Sequence, residues 1–294
     1  MSVTERAVSF DCQGEQLLGI LAEPAQPSGV GVVVIVGGPQ YRVGSHRQFT
    51  LLSRALAAQG HHCLRFDYRG MGDSEGPLRS FEDVGKDIAA AVRSLREQCP
   101  AVRQVVLWGL CDGASAALLY VDGQAADGDI AGLVLLNPWV RSTESLAKTQ
   151  VKHYYAQRLM QKEFWLKLLS GRTGLKALKE FLAKLRTASR AKPASADRLG
   201  FQARMARAWK RFPGPVLLLL SGTDYVAKEF LDHVKASREW QGLIDRPTTT
   251  RRDFAEADHT FSSAPWRAEV EQATNHWLAT ALRPSASTQA ELMR

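Results

Sequence analysis

The stretch QVVLWGLCDGASAALLY, residues 104–120, decides how the rest of the chain is read. Its first half is short, apolar and β-branched, the pattern of a strand buried on both faces. Its second half carries Ala114, Ala116, Ala117, Leu118 and Leu119, which favour a helix. Between them stands Gly109-Leu110-Cys111-Asp112-Gly113. Strand and helix follow each other with almost no loop, so the turn is sharp and needs the small residues Gly109, Gly113 and Ala114. Ala117, one helical turn on, leaves room for the strand. Cys111 sits at the apex. A turn of this kind lifts one side chain to the carboxyl edge of a sheet and aims the N–H groups of the helix start at the same point. A lone cysteine is also a common small core residue, so its neighbours in the fold must decide.

Outward from this stretch, strand and helix patterns alternate. GVVVIV (31–36), HCLRFD (62–67), AGLVLLNP (131–138) and GPVLLLLSG (214–222) read as buried strands. QFTLLSRALAAQG reads as a helix stopped by Gly60. SFEDVGKDIAAAVRSLREQ reads as a second, opening at Ser80 and Asp83 and stopping before Pro100. APWRAEVEQATNHWLATAL closes the pattern, with Pro265 near its first turn. AVSFDC and QLLGILAEP read as an N-terminal hairpin. The alternation predicts an α/β fold with a mostly parallel sheet and helices on both faces. Residues 1–140 and 213–285 form its core. Residues 141–212 lack a strand pattern and read as a helical lid insertion, and 286–294 as a flexible tail.

The 294 residues carry a net charge of +8, unevenly spread. From Arg141 to Arg211 there are 18 basic and 4 acidic residues, a net of +14, which leaves −6 for the rest. Such charge steers anionic partners over long range. An acyl-carrier protein, a coenzyme A thioester, an acidic polysaccharide intermediate and an anionic membrane surface all fit it. No nucleic-acid-binding motif accompanies the charge. No apolar run is long enough for a transmembrane segment, and the start, MSVTERAVSF, has no secretory h-region, which predicts a cytoplasmic protein. Cys12, Cys63, Cys99 and Cys111 show no paired spacing, so neither a metal site nor a disulfide framework is expected, and no cofactor motif appears.

Two loops supply partners for Cys111. LLLLSGTDYVAKEF places Asp224 just past a strand, and FAEADHTFSSAPW places His259 just before the last helix. A base that takes the thiol proton and an acid that orients the base are what an activated nucleophile needs. Asp232, Asp253 and Asp258 are rivals of Asp224 for the acid. The N–H of Asp112 is one expected oxyanion donor. The second comes from GGPQYRVGSHRQF, after the GVVVIV strand. Pro39 has no N–H, which leaves Gly38 or Gln40. Tyr41, Arg42, His46 and Trp139 are the expected substrate-binding residues, and Arg47 borders them. Asp67, in FDYRGMGDSEGP, lies in a turn-rich loop and reads as structural.

With DYRGMGDSEG, the Cys111 turn, GTD and ADHTF all present, the chain resembles the α/β-hydrolase superfamily over almost its whole length. GGPQYRVGSHRQF with GLCDGASAAL resembles, more narrowly, the exosortase A system-associated hydrolase 1 family of exosortase and exopolysaccharide loci. The resemblance implies a hydrolase fold and a Cys111–His259–Asp224 triad. It departs from the majority pattern in having sulfur for oxygen at the turn and Gly37 where histidine is common. A thiol has an unperturbed pKa of ~8.5, lowered by a histidine and a helix N-terminus. Its acyl intermediate is a thioester, which passes an acyl group to other acceptors as well as to water. The expected activity is cleavage of a small-molecule or carrier-bound ester or thioester. An acyltransferase on the same residues and a non-catalytic binding protein are the alternatives.

Overall fold

The computed structural model describes residues 3–38, 40–123, 130–141 and 199–282. One compact unit holds the chain through Trp139 and again from Gly200. Residues 142–198, most of the expected lid, and the expected tail at 286–294 lie outside the described residues.

The unit is built on one eight-stranded sheet. The strands are β1 (Thr4–Cys12), β2 (Glu15–Glu23), β3 (Val30–Ile35), β4 (His62–Phe66), β5 (Gln104–Leu110), β6 (Gly132–Leu136), β7 (Val216–Ser221) and β8 (Thr249–Phe254). Their order across the sheet is β1-β2-β4-β3-β5-β6-β7-β8. β1 and β2 form the expected hairpin, turning through Gln13 and Gly14, both at positive φ. β2 pairs antiparallel with β4, and every pair from β4 to β8 is parallel. The inner strands are buried throughout because helices cover both faces.

The helices are α1 (Gln48–Ala58), α2 (Gly85–Gln98), α3 (Asp112–Gly123), α4 (Phe201–Arg211), α5 (Tyr225–Ala236) and α6 (Ala264–Ala281). α1 and α6 pack together on one face, where Trp108 of β5 meets Phe49 edge-on and reaches Thr274. α2, α3 and α4 pack together on the other. The second face is seen at Gly31, where a Cβ would strike Leu95 of α2. α4 falls inside the 141–212 stretch, yet it packs on α3 and Arg207 pairs with Asp122 at 2.6 Å.

Two expectations need correction. The helix expected from Ser80 begins at Gly85. Ser80 instead closes a turn, accepting from the N–H of Asp83 at 2.9 Å and, through its hydroxyl, from Glu82. β8 was not expected at all. Its sequence, TTRRDF, is polar because it lies at the sheet edge with four of six residues exposed.

The loop FDYRGMGDSEGP is held from within. Asp67, fully buried, accepts from the N–H groups of Arg42 and Asp73 and from the Arg42 guanidinium. Arg69 is buried against Asp87 through two side-chain bonds of 2.9 Å. These contacts give the loop the structural role its turn-rich sequence suggested.

Candidate active site

β5 runs straight into Cys111, and α3 starts at the next residue. Cys111 has φ 60, a region that side-chain-bearing residues avoid. Close packing enforces it. A Cβ on Gly109 would strike the backbone of Gly113 and Ala114, and one on Gly113 would strike the carbonyl of Ile35. The Cys111 N–H donates to the Leu136 carbonyl at 2.9 Å, and its carbonyl accepts from the Trp139 N–H at 3.2 Å. The apex is thus fastened to the end of β6 and to the chain beyond it. Cys111 is partly exposed, whereas Cys12, Cys63 and Cys99 are buried. Burial pushes the Cys63 thiol up to about 12 and the Cys99 thiol up to about 11.

Asp224 and His259 meet. His259 Nδ1 lies 2.7 Å from Asp224 Oδ2. Asp224 stands at the N-terminus of α5, where its carboxylate also accepts from the N–H groups of Val226 and Ala227. Asp224 is buried and His259 is one-third exposed. Of the rival acids, Asp258 is turned to its own loop. It accepts from the N–H groups of Thr260 and Ser262 and from the Ser262 hydroxyl. Asp253 pairs with Arg251.

One residue of this arrangement escaped the sequence reading. Asn137, fully buried just past β6, ties three segments together. Its Oδ1 accepts from the Ser221 N–H at 2.9 Å, and its Nδ2 donates to Ser221 Oγ at 2.8 Å and to the His259 carbonyl at 3.3 Å. Ser221 Oγ in turn donates to the Asp258 carbonyl at 2.9 Å. The loop of His259 is therefore held to the ends of β6 and β7, beside the residue that receives the Cys111 N–H. Its only trace in the sequence is one polar residue ending the apolar run LVLLN.

The Gly38 N–H donates to Asp112 Oδ1 at 2.5 Å, so a side chain holds it. Gln40 Oε1 accepts from the Ser45 N–H. Arg42 is committed to Asp67 and, at 2.6 Å, to Asp73, and its side chain is only 13% exposed. Tyr41 is exposed beside it. His46 lies in a short 3-10 turn and its charge reaches Asp258. Trp139 packs at the Cys111 apex, and its carbonyl accepts from Ser115 Oγ at 2.6 Å. Among the described residues, no cluster of His, Cys, Asp or Glu is placed to hold a metal ion, and no helix is long and apolar enough to cross a membrane.

Cys111, the His259–Asp224 pair and the Gly38 loop all lie past the carboxyl ends of β3, β5, β7 and β8, where open α/β sheets carry their sites. The chain matches the alpha/beta hydrolase family over residues 32–281. It is 33% identical over 119 residues to the quorum-quenching protein AidA of Acinetobacter baumannii, covering 38% of this chain and 37% of that protein. It is 30% identical over 140 residues to protein ABHD12B of Homo sapiens, covering 45% of this chain and 38% of that one. It thus spans less than two-fifths of the length of these curated relatives. Among solved structures it superposes on esterase Pf2001 of Pyrococcus furiosus with a TM-score of 0.63 and 15% identity, covering 95% of this chain and 93% of that one.

Proposed function

The chain belongs to the alpha/beta hydrolase family, and from that premise we propose that it cleaves an ester or thioester with a cysteine nucleophile. His259 takes the Cys111 proton, the sulfur attacks the acyl carbon, and the leaving group departs with that proton. Water, activated by the same imidazole, then releases the acid. Asp224 keeps Nδ1 of His259 protonated, leaving Nε2 to accept. The N–H groups of Asp112 and Gly38 receive the oxyanion. The observation that supports this most is the strained φ of Cys111 at the same sheet edge as the 2.7 Å His259–Asp224 pair.

The test is intact-protein mass spectrometry of wild type and His259→Ala after incubation with a panel of acyl esters and acyl thioesters. A mass gain of one acyl group, lost in Cys111→Ala, is the expected result. Ester turnover that survives Cys111→Ala at the wild-type rate would overturn it.

Transfer is the second reading, favoured by the sulfur itself. A thioester intermediate yields readily to an alcohol or amine. A sugar hydroxyl is one such acceptor, and it would fit the exopolysaccharide context that the resemblance to the exosortase A system-associated hydrolase 1 family implies. The basic stretch 141–211 suits an anionic carrier or glycan. Product formed only when an acceptor alcohol is present separates transfer from hydrolysis.

A further inference from the structure

Asp112 follows the nucleophile and opens α3, where an acidic residue is favoured by the helix dipole. Its carboxylate does more than face its own helix. Oδ1 crosses to the loop after β3 and takes the Gly38 N–H at 2.5 Å, a bond between residues 74 apart in sequence. The N–H groups of Gly113 and of Asp112 itself also favour the charged carboxylate. Two of these donors, the N–H groups of Gly38 and Asp112, are the ones assigned above to the oxygen of an acyl group on Cys111. Gly37 makes the arrangement possible. A Cβ there would collide with Asp112 Oδ1, with the Leu110 carbonyl and with the Gly113 N–H, so only glycine leaves room for the carboxylate here.

We propose that the Asp112 carboxylate is an internal occupant of the oxyanion pocket, which must be vacated before an acyl group can react with Cys111. The proposal rests on reading Cys111 as the nucleophile. Two carboxylate features fit it. A carboxylate oxygen and an acyl oxyanion want the same N–H donors, so one excludes the other. The occupant is also poorly solvated, since burial pushes the Asp112 carboxyl above the ordinary carboxylate range in spite of the three N–H groups and the His259 charge. A proton therefore loosens it. The groups facing it are His259 and Tyr68, whose phenol burial and the nearby carboxylates keep protonated. Binding of substrate must either turn the carboxylate out of the pocket or find it protonated.

The test compares wild type, Asp112→Asn and Asp112→Ala, each checked for folding by thermal melting. Two readouts run across pH 5–9: kcat/KM for p-nitrophenyl acetate, and protection of Cys111 from iodoacetamide by butyraldehyde. The aldehyde adds to the thiol, and the resulting hemithioacetal oxygen needs the same donors. Asp112→Ala is expected to raise both by about tenfold or more at pH 8, up to the roughly hundred- to thousandfold that one oxyanion donor is worth. The ratio of Asp112→Ala to wild type should be larger at pH 8 than under acid conditions where the Asp112 carboxyl is protonated. Asp112→Asn, neutral but still able to accept, should fall between. A folded Asp112→Ala that is slower than wild type, with a ratio independent of pH, would mean that the carboxylate only braces the Gly38 loop, and would overturn the proposal. Wild-type Cys111 that neither turns over the ester nor reacts with iodoacetamide would instead overturn the nucleophile reading, and this proposal with it.

Discussion

One carboxylate, Asp224, both orients His259 at 2.7 Å and caps α5 through the N–H groups of Val226 and Ala227. The two tasks need different chemistry. Capping needs only an acceptor oxygen, whereas stabilising an imidazolium needs a charge.

Asp224→Asn should therefore keep one of the two cap bonds and lose the charge. We expect a small drop in melting temperature with kcat reduced by about a thousandfold or more. Asp224→Ala should show the same catalytic loss and also melt lower, because removing an N-cap side chain costs about 1 kcal/mol. Ester turnover and thermal melting of the two variants side by side check this. A stable Asp224→Ala would show that the cap is dispensable.

Asn137→Ala should uncouple the loop of His259 from the sheet. The Ser221 N–H and hydroxyl and the His259 carbonyl each lose a partner in a buried setting. The expected cost is about 1–3 kcal/mol. Amide hydrogen exchange should quicken in residues 257–262 before it quickens in β5. Uniform exchange across both segments would place the role of Asn137 elsewhere.

Cys111→Gly should melt above Cys111→Ala. Alanine keeps the cost of a side chain at φ 60, and glycine removes it. A difference of about 1 kcal/mol is expected, partly offset by the greater freedom of glycine in the unfolded chain. Both variants should lack turnover, so calorimetry on the pair isolates the strain stored at the apex.

Asp258 links the His259 loop to acidity. Burial penalises its charge, but the Ser262 hydroxyl, the N–H groups of Ser262 and Thr260 and the charge of His46 outweigh this and hold its carboxyl below the ordinary range. A carboxyl depressed in the folded state stabilises fully above its unfolded value of about 4 and loses that contribution as pH falls through the folded value. Melting temperature should therefore drop more steeply below about pH 4 in wild type than in Asp258→Asn. Parallel curves for the two would remove Asp258 from the acid response.

The inner strands and the Cys111 turn were legible because they rest on local rules. β-branched runs, small residues at a sharp turn and alternation of periods leave their mark within a dozen residues. β8 was not legible, because an edge strand with solvent on its outer side has no apolar pattern to show. The start of α2 was misread for a related reason. Ser80 and Asp83 carry a capping signature, and a turn uses the same side chains. In the site, Asp224 and His259 stood out as polar residues after a strand and before a helix. Asn137 and the carboxylate of Asp112 did not, because their roles depend on partners 84 and 74 residues away. No spacing rule brings such partners together before the fold does.

β8, the last strand in the sheet order, shows what its polarity accomplishes. Among the described residues its outer edge carries no further strand, and such an edge is a template on which a strand of another molecule could add, the first step toward a fibril. Arg251, Arg252 and Asp253 occupy that margin in succession, with Arg251 bound to Asp253 and Arg252 reaching Glu269. A second chain docking there would have to bury these charges. The strand hardest to read from sequence thus carries, at its edge, the charges that oppose strand addition.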